Sequence, residues 1–352
     1  MKNLQDYKVT ASEKKIDKGE RVLMLCAGFF GYEKRISDAL RNAGYEVDLY
    51  DERPSAGFFG KTCVRYNLHL YYPVIRRYYK RIIEKNRDNG YKYVFVVKGE
   101  AVSETVIKML RQAYPTARFI LYLWDSVDNI PDCRRRMREY DRVLTFDPED
   151  ARTYGLVFRP LFYCNEFTKR KTVEQEGADV FTFDFAFIGT AHSDRPRIAG
   201  QLQRQCGQRG GKCYLNLYLP HILVFYYHKL LNPAYQHVHK EEINFTPMCS
   251  AEINAVYERS RCILDVEHNK QHGLTIRTIE MIGLQKKLIT TNAAIKQYDF
   301  YRPANICVID RENPILDVDF LKTSYEALPD EIYEKYSIGK WIKDVFETEA
   351  PQ

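Results

Sequence analysis

Residues 21–26 form a short apolar run, Arg-Val-Leu-Met-Leu-Cys, bounded by charge on one side and by Ala27-Gly-Phe-Phe-Gly31 on the other. Its length and uniform apolarity predict a buried strand. From 32 to 42 the apolar positions fall at helical spacing, Gly44 ends that helix, and 46–50 reads as a second strand. Strand, helix and strand within about thirty residues make a βαβ unit with a parallel pair. The alternation continues, with strands predicted at 91–97, 118–124 and 142–146 and helices at 103–114 and 132–139. The ligand side of such a sheet lies beyond the carboxyl ends of its strands, here near Gly28, Lys98-Gly-Glu100, Trp124-Asp-Ser126 and Asp147.

Periodicity fades over 169–179, a polar stretch that reads as a linker, and then resumes. Strands are predicted at 183–188, 212–217, 262–266, 287–291 and 306–309, and helices at 196–209, 221–231, 251–260 and 274–284. The fold class is therefore α/β, with two Rossmann-like, doubly wound domains in series facing a cleft. The N-terminal domain is expected over 1–168 and the C-terminal one over 178–330, with a helix at 332–347 packing back on the first.

Composition narrows the classes. The chain has 352 residues, 45% hydrophobic and 28% charged, enough for two globular domains and unlike a disordered chain. A net charge of +6 from 53 Lys and Arg against 47 Asp and Glu is a weak basis for nucleic-acid binding, so no nucleic-acid partner is expected. The nine Cys are odd in number, are scattered without a CxxC pair and follow a polar start with no apolar leader core, which points to a reducing, cytoplasmic setting. The most apolar stretch, 213–227, contains Asn216, Pro220 and His221 and falls short of a spanning helix. The 27 Tyr and 19 Phe suit sugar rings or lipid headgroups as well as a core. Residues 65–85 combine basic groups with Tyr and aliphatic residues, a face for peripheral membrane contact or a solvated basic helix packed by its apolar side.

The chemistry concentrates in two loops. His272-Gly-Leu-Thr-Ile-Arg-Thr-Ile-Glu280 opens a helix that leads to a strand ending at Asn292. A helix start offers backbone N–H groups and a positive dipole end to a diphosphate, and Arg277 adds a charge-assisted contact. Glu280 lies three residues on, near the same face, where it could accept from ribose hydroxyls, or pair with Arg277 on a solvated helix. The loop Ile188-Gly-Thr-Ala-His-Ser-Asp-Arg-Pro-Arg197 follows a strand, with Gly189 permitting close backbone approach, Thr190 offering a hydroxyl and Arg195 or Arg197 in reach of phosphate; an ordinary βα connection has the same pattern.

The 272–292 segment resembles the donor-binding motif of GT-B glycosyltransferases: an acid, then Gly, a second Glu eight positions on, a helical turn and a strand ending in a small polar residue. Gly273 and Glu280 match, and His272 stands where the first acid does. Arg277 makes the segment similar to CgeB-like glycosyltransferases and related lipopolysaccharide and capsule biosynthesis proteins, which also carry a Gly-then-Arg loop like 189–197. The resemblance implies a glycosyltransferase of hexosyltransferase type that needs no catalytic metal. It further implies a UDP-, GDP- or dTDP-sugar as substrate, no tightly bound cofactor, and a glycan or glycolipid acceptor. Donor contacts would then come from Gly189, Thr190, Arg195, Gly273, Arg277, Glu280 and Asn292, with His272 beside the phosphates.

On the acceptor side Gly28 stands in the glycine-containing first loop, and Asp125 and Asp128 follow a strand end. Asp125 is the first choice for the base that deprotonates the acceptor hydroxyl, although an Asp there also caps the next helix. Two rivals stay open. A non-catalytic nucleotide-sugar-binding or scaffolding protein fits His272 in place of the acid. An NAD-dependent oxidoreductase fits Asp51-Glu52 after the second strand, but Gly28-Phe-Phe-Gly31 lacks the third glycine. His221, His228, His237 and His239 lack the spacing and the completing ligand of a zinc site, and His268 with His272 precede a glycine loop, so no metal is expected.

Overall fold

The computed structural model describes residues 19–54, 72–168, 181–268 and 273–346. The 169–179 linker, His272 and residues 65–71 of the basic-aromatic stretch lie outside the described residues. The chain divides into two compact units: among the described residues, one holds 19–162 with 335–346 and the other 163–334.

In the first unit six parallel strands, β1 (Arg21–Cys26), β2 (Glu46–Tyr50), β3 (Tyr91–Val97), β4 (Arg118–Leu123), β5 (Arg142–Thr145) and β6 (Val157–Phe158), lie in the order β2-β1-β3-β4-β5-β6. The apolar runs fall where they do because both faces of this sheet are covered. Leu23, Leu25, Val94, Val96, Phe119 and Leu121 are almost wholly buried among helices Tyr72–Lys85 and Glu104–Ala113. Gly44, at φ 101°, supplies the left-handed turn that stops helix Tyr32–Asn42, and its N–H reaches the Arg41 carbonyl. Helix Tyr72–Lys85 buries Ile75, Tyr79 and Ile82 and turns Arg76, Arg77, Lys80 and Arg81 outward.

The tail is two helices, Asp330–Lys335 and Ile338–Phe346, instead of one continuous helix. The second of them belongs to the first unit, where Trp341 is fully buried with its ring 4.7 Å from Tyr122 and 4.5 Å from Phe162. Its register is fixed by charge as well: Asp344 takes Arg159 Nε at 2.8 Å and Lys340 Nζ at 2.8 Å.

The second unit repeats the plan with β7 (Phe183–Thr190), β8 (Cys213–Tyr218), β9 (Ile243–Asn244), β10 (Ser260–Asp265), β11 (Lys287–Thr290) and β12 (Ile306–Val308), again all parallel, in the order β12-β11-β10-β7-β8-β9. Each sheet reverses its strand order once, at β1/β3 in the first and at β7/β10 in the second, and a crevice opens at such a switch point. Helix Ile276–Gly283 packs so tightly at its far end that a methyl on Gly283 would collide with the Phe167 carbonyl oxygen and the Tyr163 ring. Among the described residues no helix is long and apolar enough to cross a membrane, and the eight described cysteines are all free.

Candidate functional site

At the β7/β10 switch point the loop after β7 meets the start of helix Ile276–Gly283. Thr275 caps that helix, its hydroxyl oxygen accepting from Thr278 N–H at 3.2 Å. Asp265, the last residue of β10 and 1% exposed, accepts from the Thr275 and Thr278 hydroxyls at 2.5 and 2.8 Å and lies 3.5 Å from Arg277 Nη1. The first turn of the helix therefore already has a carboxylate belonging to the chain itself, satisfying the preference of a helix start for negative charge. Leu274 and Gly273, just before the cap, are buried.

The Arg277 side chain runs under β7. Its Nε donates to the Tyr257 hydroxyl at 3.1 Å, its Nη2 donates to the Ile188 carbonyl, and its guanidinium sits over the Phe187 ring. A Cβ on Gly189 would lie 3.1 Å from the Phe187 ring, a tight contact, and at an ordinary van der Waals distance of 3.5 Å from both terminal nitrogens of Arg277. Burial opposes the charge, but Tyr257, Asp265 and Glu280 outweigh it and hold Arg277 above the usual arginine range. The sequence left open a simple Arg277–Glu280 pair. The ion-pair distance in the structure is to Asp265, while Glu280, 7% exposed, acts on Arg277 through its charge.

Arg195, at the start of helix Arg195–Gly207, donates from Nε to the Val266 carbonyl at 2.7 Å and from Nη1 to Thr190 Oγ1 at 3.1 Å. Its pKa is lowered to about 10, first by burial and next by the neighbouring Arg277 cation. Two guanidinium groups are thus held side by side at the end of β7, together with the Thr190 hydroxyl. Arg197 points elsewhere, donating to the Arg311 and Glu312 carbonyls. Asn292 caps the turn Ala293–Gln297, accepting from Ala294 N–H at 3.0 Å, and is 9% exposed.

Several members of this edge escape sequence reasoning. Arg311 clasps Asp194 with two bonds of 2.8 Å and reaches Glu267 Oε1 at 2.7 Å, and Glu267 also takes the Thr291 hydroxyl. His192 and His268 stand with ring centres 5.6 Å apart, and burial, with Arg195 and His268 adding to it, lowers His192 to about 4. Arg311 is 117 residues from Asp194 and carries no local motif, so only the fold joins them. Asp265 and Glu267 did have a signal, being acids directly at the end of a predicted strand.

The carboxyl edge of the first sheet has a different make-up. Gly28 N–H donates to Asp51 Oδ2 at 3.1 Å, and its carbonyl accepts from Arg53 at 3.3 Å. Glu52 is fully buried, neither of its oxygens has a hydrogen-bond partner among the described residues, and desolvation raises its pKa to about 8. An acid closed off in this way cannot read a ribose, which leaves Asp51, already holding Gly28 N–H and Arg53, as the carboxylate of the dinucleotide reading. Asp125 is half-buried, its Oδ1 accepting from Ser126 N–H at 3.0 Å and Asn129 Nδ2 at 2.8 Å. Asp128 is exposed and pairs with Arg134 at 2.9 Å. The Phe29, Tyr32, Trp124 and Phe162 rings cluster beside them with centroids 4.9–6.3 Å apart.

A cavity of about 1350 Å³ in this unit runs between helices Tyr72–Lys85 and Glu104–Ala113 and ends near Glu100 and Asp132. Of the cations lining it, Lys80 pairs with Glu84 and Arg135 with Glu104, whereas Arg76, Arg77 and Arg87 have no ion-pair partner among the described residues. Among the described residues no group of three or more His, Cys, Asp or Glu is placed to hold a metal ion.

No family profile matches the chain, and no curated protein sequence matches it. Solved structures do. A trehalose-phosphate synthase (UDP-forming) from Burkholderia xenovorans, solved with glucose-6-phosphate, superimposes with a TM-score of 0.57 at 10% identity, covering 93% of this chain and 100% of its own. Anabaena HepE, solved with UDP and glucose, gives 0.56 at 11% identity over 92% and 98%. The catalytic domain of Arabidopsis thaliana starch synthase IV, bound to ADP and acarbose, gives 0.51 at 8% over 94% and 97%. The chain has the GT-B fold, two Rossmann-like domains with parallel six-stranded sheets.

Proposed function

We propose that this protein is a glycosyltransferase that moves a sugar from a nucleotide-diphosphate donor to a glycan or glycolipid acceptor of a surface polysaccharide or lipopolysaccharide. The observation that carries the reading is the pair of guanidinium groups, Arg195 and Arg277, held next to each other beside Gly189 and Thr190 at the switch point of the second sheet. Two like charges kept adjacent in a half-buried site repel each other; Asp265 acts on both and Glu267 on Arg195, yet Arg195 is still held below the usual arginine range. A departing diphosphate adds an anion that both guanidinium groups favour. UDP in the HepE structure and ADP in the starch synthase structure support a nucleotide diphosphate.

In this reading Gly189 and Gly273 let backbone approach the donor, and Thr190, Arg195 and Arg277 stabilise the charge that develops on the leaving phosphate oxygen. Glu280 and Asn292 contact the remainder of the nucleotide-sugar, and His272 hydrogen-bonds beside the phosphates. Asp125 takes the acceptor proton through Oδ2, since Oδ1 is held by Ser126 and Asn129. As the acceptor oxygen bonds to the anomeric carbon, the bond from that carbon to the diphosphate breaks and its electron pair leaves with the phosphate. Gly28 and Asp128 line the acceptor side. Arg76, Arg77 and Arg87, which have no ion-pair partner among the described residues, favour an acceptor that carries phosphate groups.

A thermal-shift panel of UDP-, GDP- and dTDP-sugars, followed by turnover on any hit, tests this. A nucleotide-sugar is expected to raise the melting temperature of the wild type, and Arg195→Gln or Arg277→Gln to remove the shift and lower kcat by about a hundredfold or more. A shift without turnover on any acceptor indicates a binding protein of the same fold.

A further inference from the structure

Arg311, which follows β12, bonds to the chain on both sides of Arg195. Its Nε and Nη2 donate to the carboxylate of Asp194, the residue just before Arg195, at 2.8 Å each. Its Nη1 donates to Glu267 Oε1 at 2.7 Å and its Nη2 also reaches the Glu267 carbonyl at 3.0 Å. Glu267 follows Val266, whose carbonyl takes Arg195 Nε at 2.7 Å. One guanidinium therefore ties the helix start that carries Arg195 to the strand end that receives it. Asp194 shows that this tie overrides local bonding. It stands at the N-cap of helix Arg195–Gly207, where an Asp ordinarily accepts from the helix's own N–H groups, and it turns both oxygens to Arg311 instead. Burial works against its charge, but the Arg311 bonds outweigh it and hold Asp194 below the usual carboxylate range. Arg197 lies 3.7 Å from the same carboxylate while bracing Arg311 itself, by donating to the Arg311 and Glu312 carbonyls.

The geometry points to Arg311 as a positioning residue of the diphosphate site: it neutralises Asp194 and Glu267 and fixes the backbone around Arg195, so that the Arg195 guanidinium stays available to phosphate and is not drawn onto those two carboxylates. Glu267 already attracts Arg195, and Arg311 opposes that attraction. The planar fork of an arginine can bridge two carboxylates in one fixed arrangement, which the point charge of a lysine cannot reproduce. This role rests on the nucleotide-diphosphate reading above and adds to it a residue that acts through Arg195.

The test is calorimetric titration of the full chain with UDP, GDP, dTDP and ADP, for the wild type, Arg311→Gln, Arg311→Lys and Arg311→Gln/Asp194→Asn, with thermal melts as the check on folding. For the diphosphate that the wild type binds best, Arg311→Gln is expected to weaken affinity by about tenfold or more. Adding Asp194→Asn removes a stranded carboxylate without restoring any Arg311 bond, and it is expected to regain about threefold or more of that loss. Arg311→Lys is expected to fall between the wild type and Arg311→Gln; where Arg311→Gln does not fold, Arg311→Lys against the wild type decides, a loss supporting the role and equal affinity overturning it. Equal affinity of Arg311→Gln and the wild type overturns the role and leaves the diphosphate reading standing. So does a double variant no tighter than Arg311→Gln, because that makes Arg311 a brace of the fold alone. A wild type that binds none of the four removes the diphosphate reading, and this role with it.

Discussion

The two sheets share a parallel six-stranded plan and a single order reversal, yet the carboxyl edges they present differ in kind. The first is lined by aromatic rings and a buried acid, Glu52, with no hydrogen-bond partner among the described residues. The second is a lattice of charge, with Asp265, Glu267 and Asp194 interleaved with Arg195, Arg277 and Arg311. A βα scaffold fixes where a ligand lies, and the residues at the strand ends fix which ligand. Aromatic faces with one or two carboxylates suit sugar rings, whereas paired guanidinium groups suit phosphate.

The sharpest way to break this contrast is to compare the two buried acids. Asp265→Asn removes the charge that holds Arg277, and urea unfolding is expected to show a loss of about 3–5 kcal/mol, the cost of leaving a buried partner uncompensated. Glu52→Gln, at a site where the native acid is largely protonated near neutral pH, is expected to change stability by less than about 1 kcal/mol. A large loss from Glu52→Gln and none from Asp265→Asn would invert the picture.

The pH dependence divides the same way. Glu52 titrates near 8 in the folded chain against an ordinary 4.5, so the native state binds its proton more tightly. Its contribution to stability is complete below about 4.5 and is lost as pH rises through 8, and the gap between wild type and Glu52→Gln should open over that window. His192 is lowered from 6.5 to about 4, so the stability linked to its neutral form is present above 6.5 and lost as pH falls through 4. His192→Asn should therefore diverge from wild type on the acid side, and melts from pH 4 to 8 would show both trends.

The smallest expected effect is that of Asp128→Asn. Its ion pair with Arg134 is solvent-exposed on both sides, and no measurable shift in melting temperature is expected. A drop in turnover without one would locate Asp128 on the acceptor path.

Most of the strands were legible because doubly covered strands are continuous apolar runs, as in Arg21–Cys26 and Tyr91–Val97. The two-residue edge strands Val157–Phe158 and Ile243–Asn244 are too short to leave a pattern. Helix Pro148–Tyr154 went unread despite its signature, an Asp147 cap followed by Pro148. At the candidate site, Gly189, Thr190, Arg195 and Arg277 were legible as loop and helix-start chemistry. What could not be read was how they are already engaged: the Asp265 carboxylate at the helix start and the reach of Arg311 to Asp194 exist only once distant strands are aligned.

The return of helix Ile338–Phe346 to the first sheet has a consequence for biosynthesis. The second unit is continuous from 163 to 334, whereas the first needs Trp341 from the far end of the chain to close over Tyr122 and Phe162. On the ribosome the later-made unit can finish first, and the earlier-made sheet stays open along that face until Ile338–Phe346 has been made. A premature stop before Ile338 would thus spare the second unit and expose the interior of the first to chaperones and proteases.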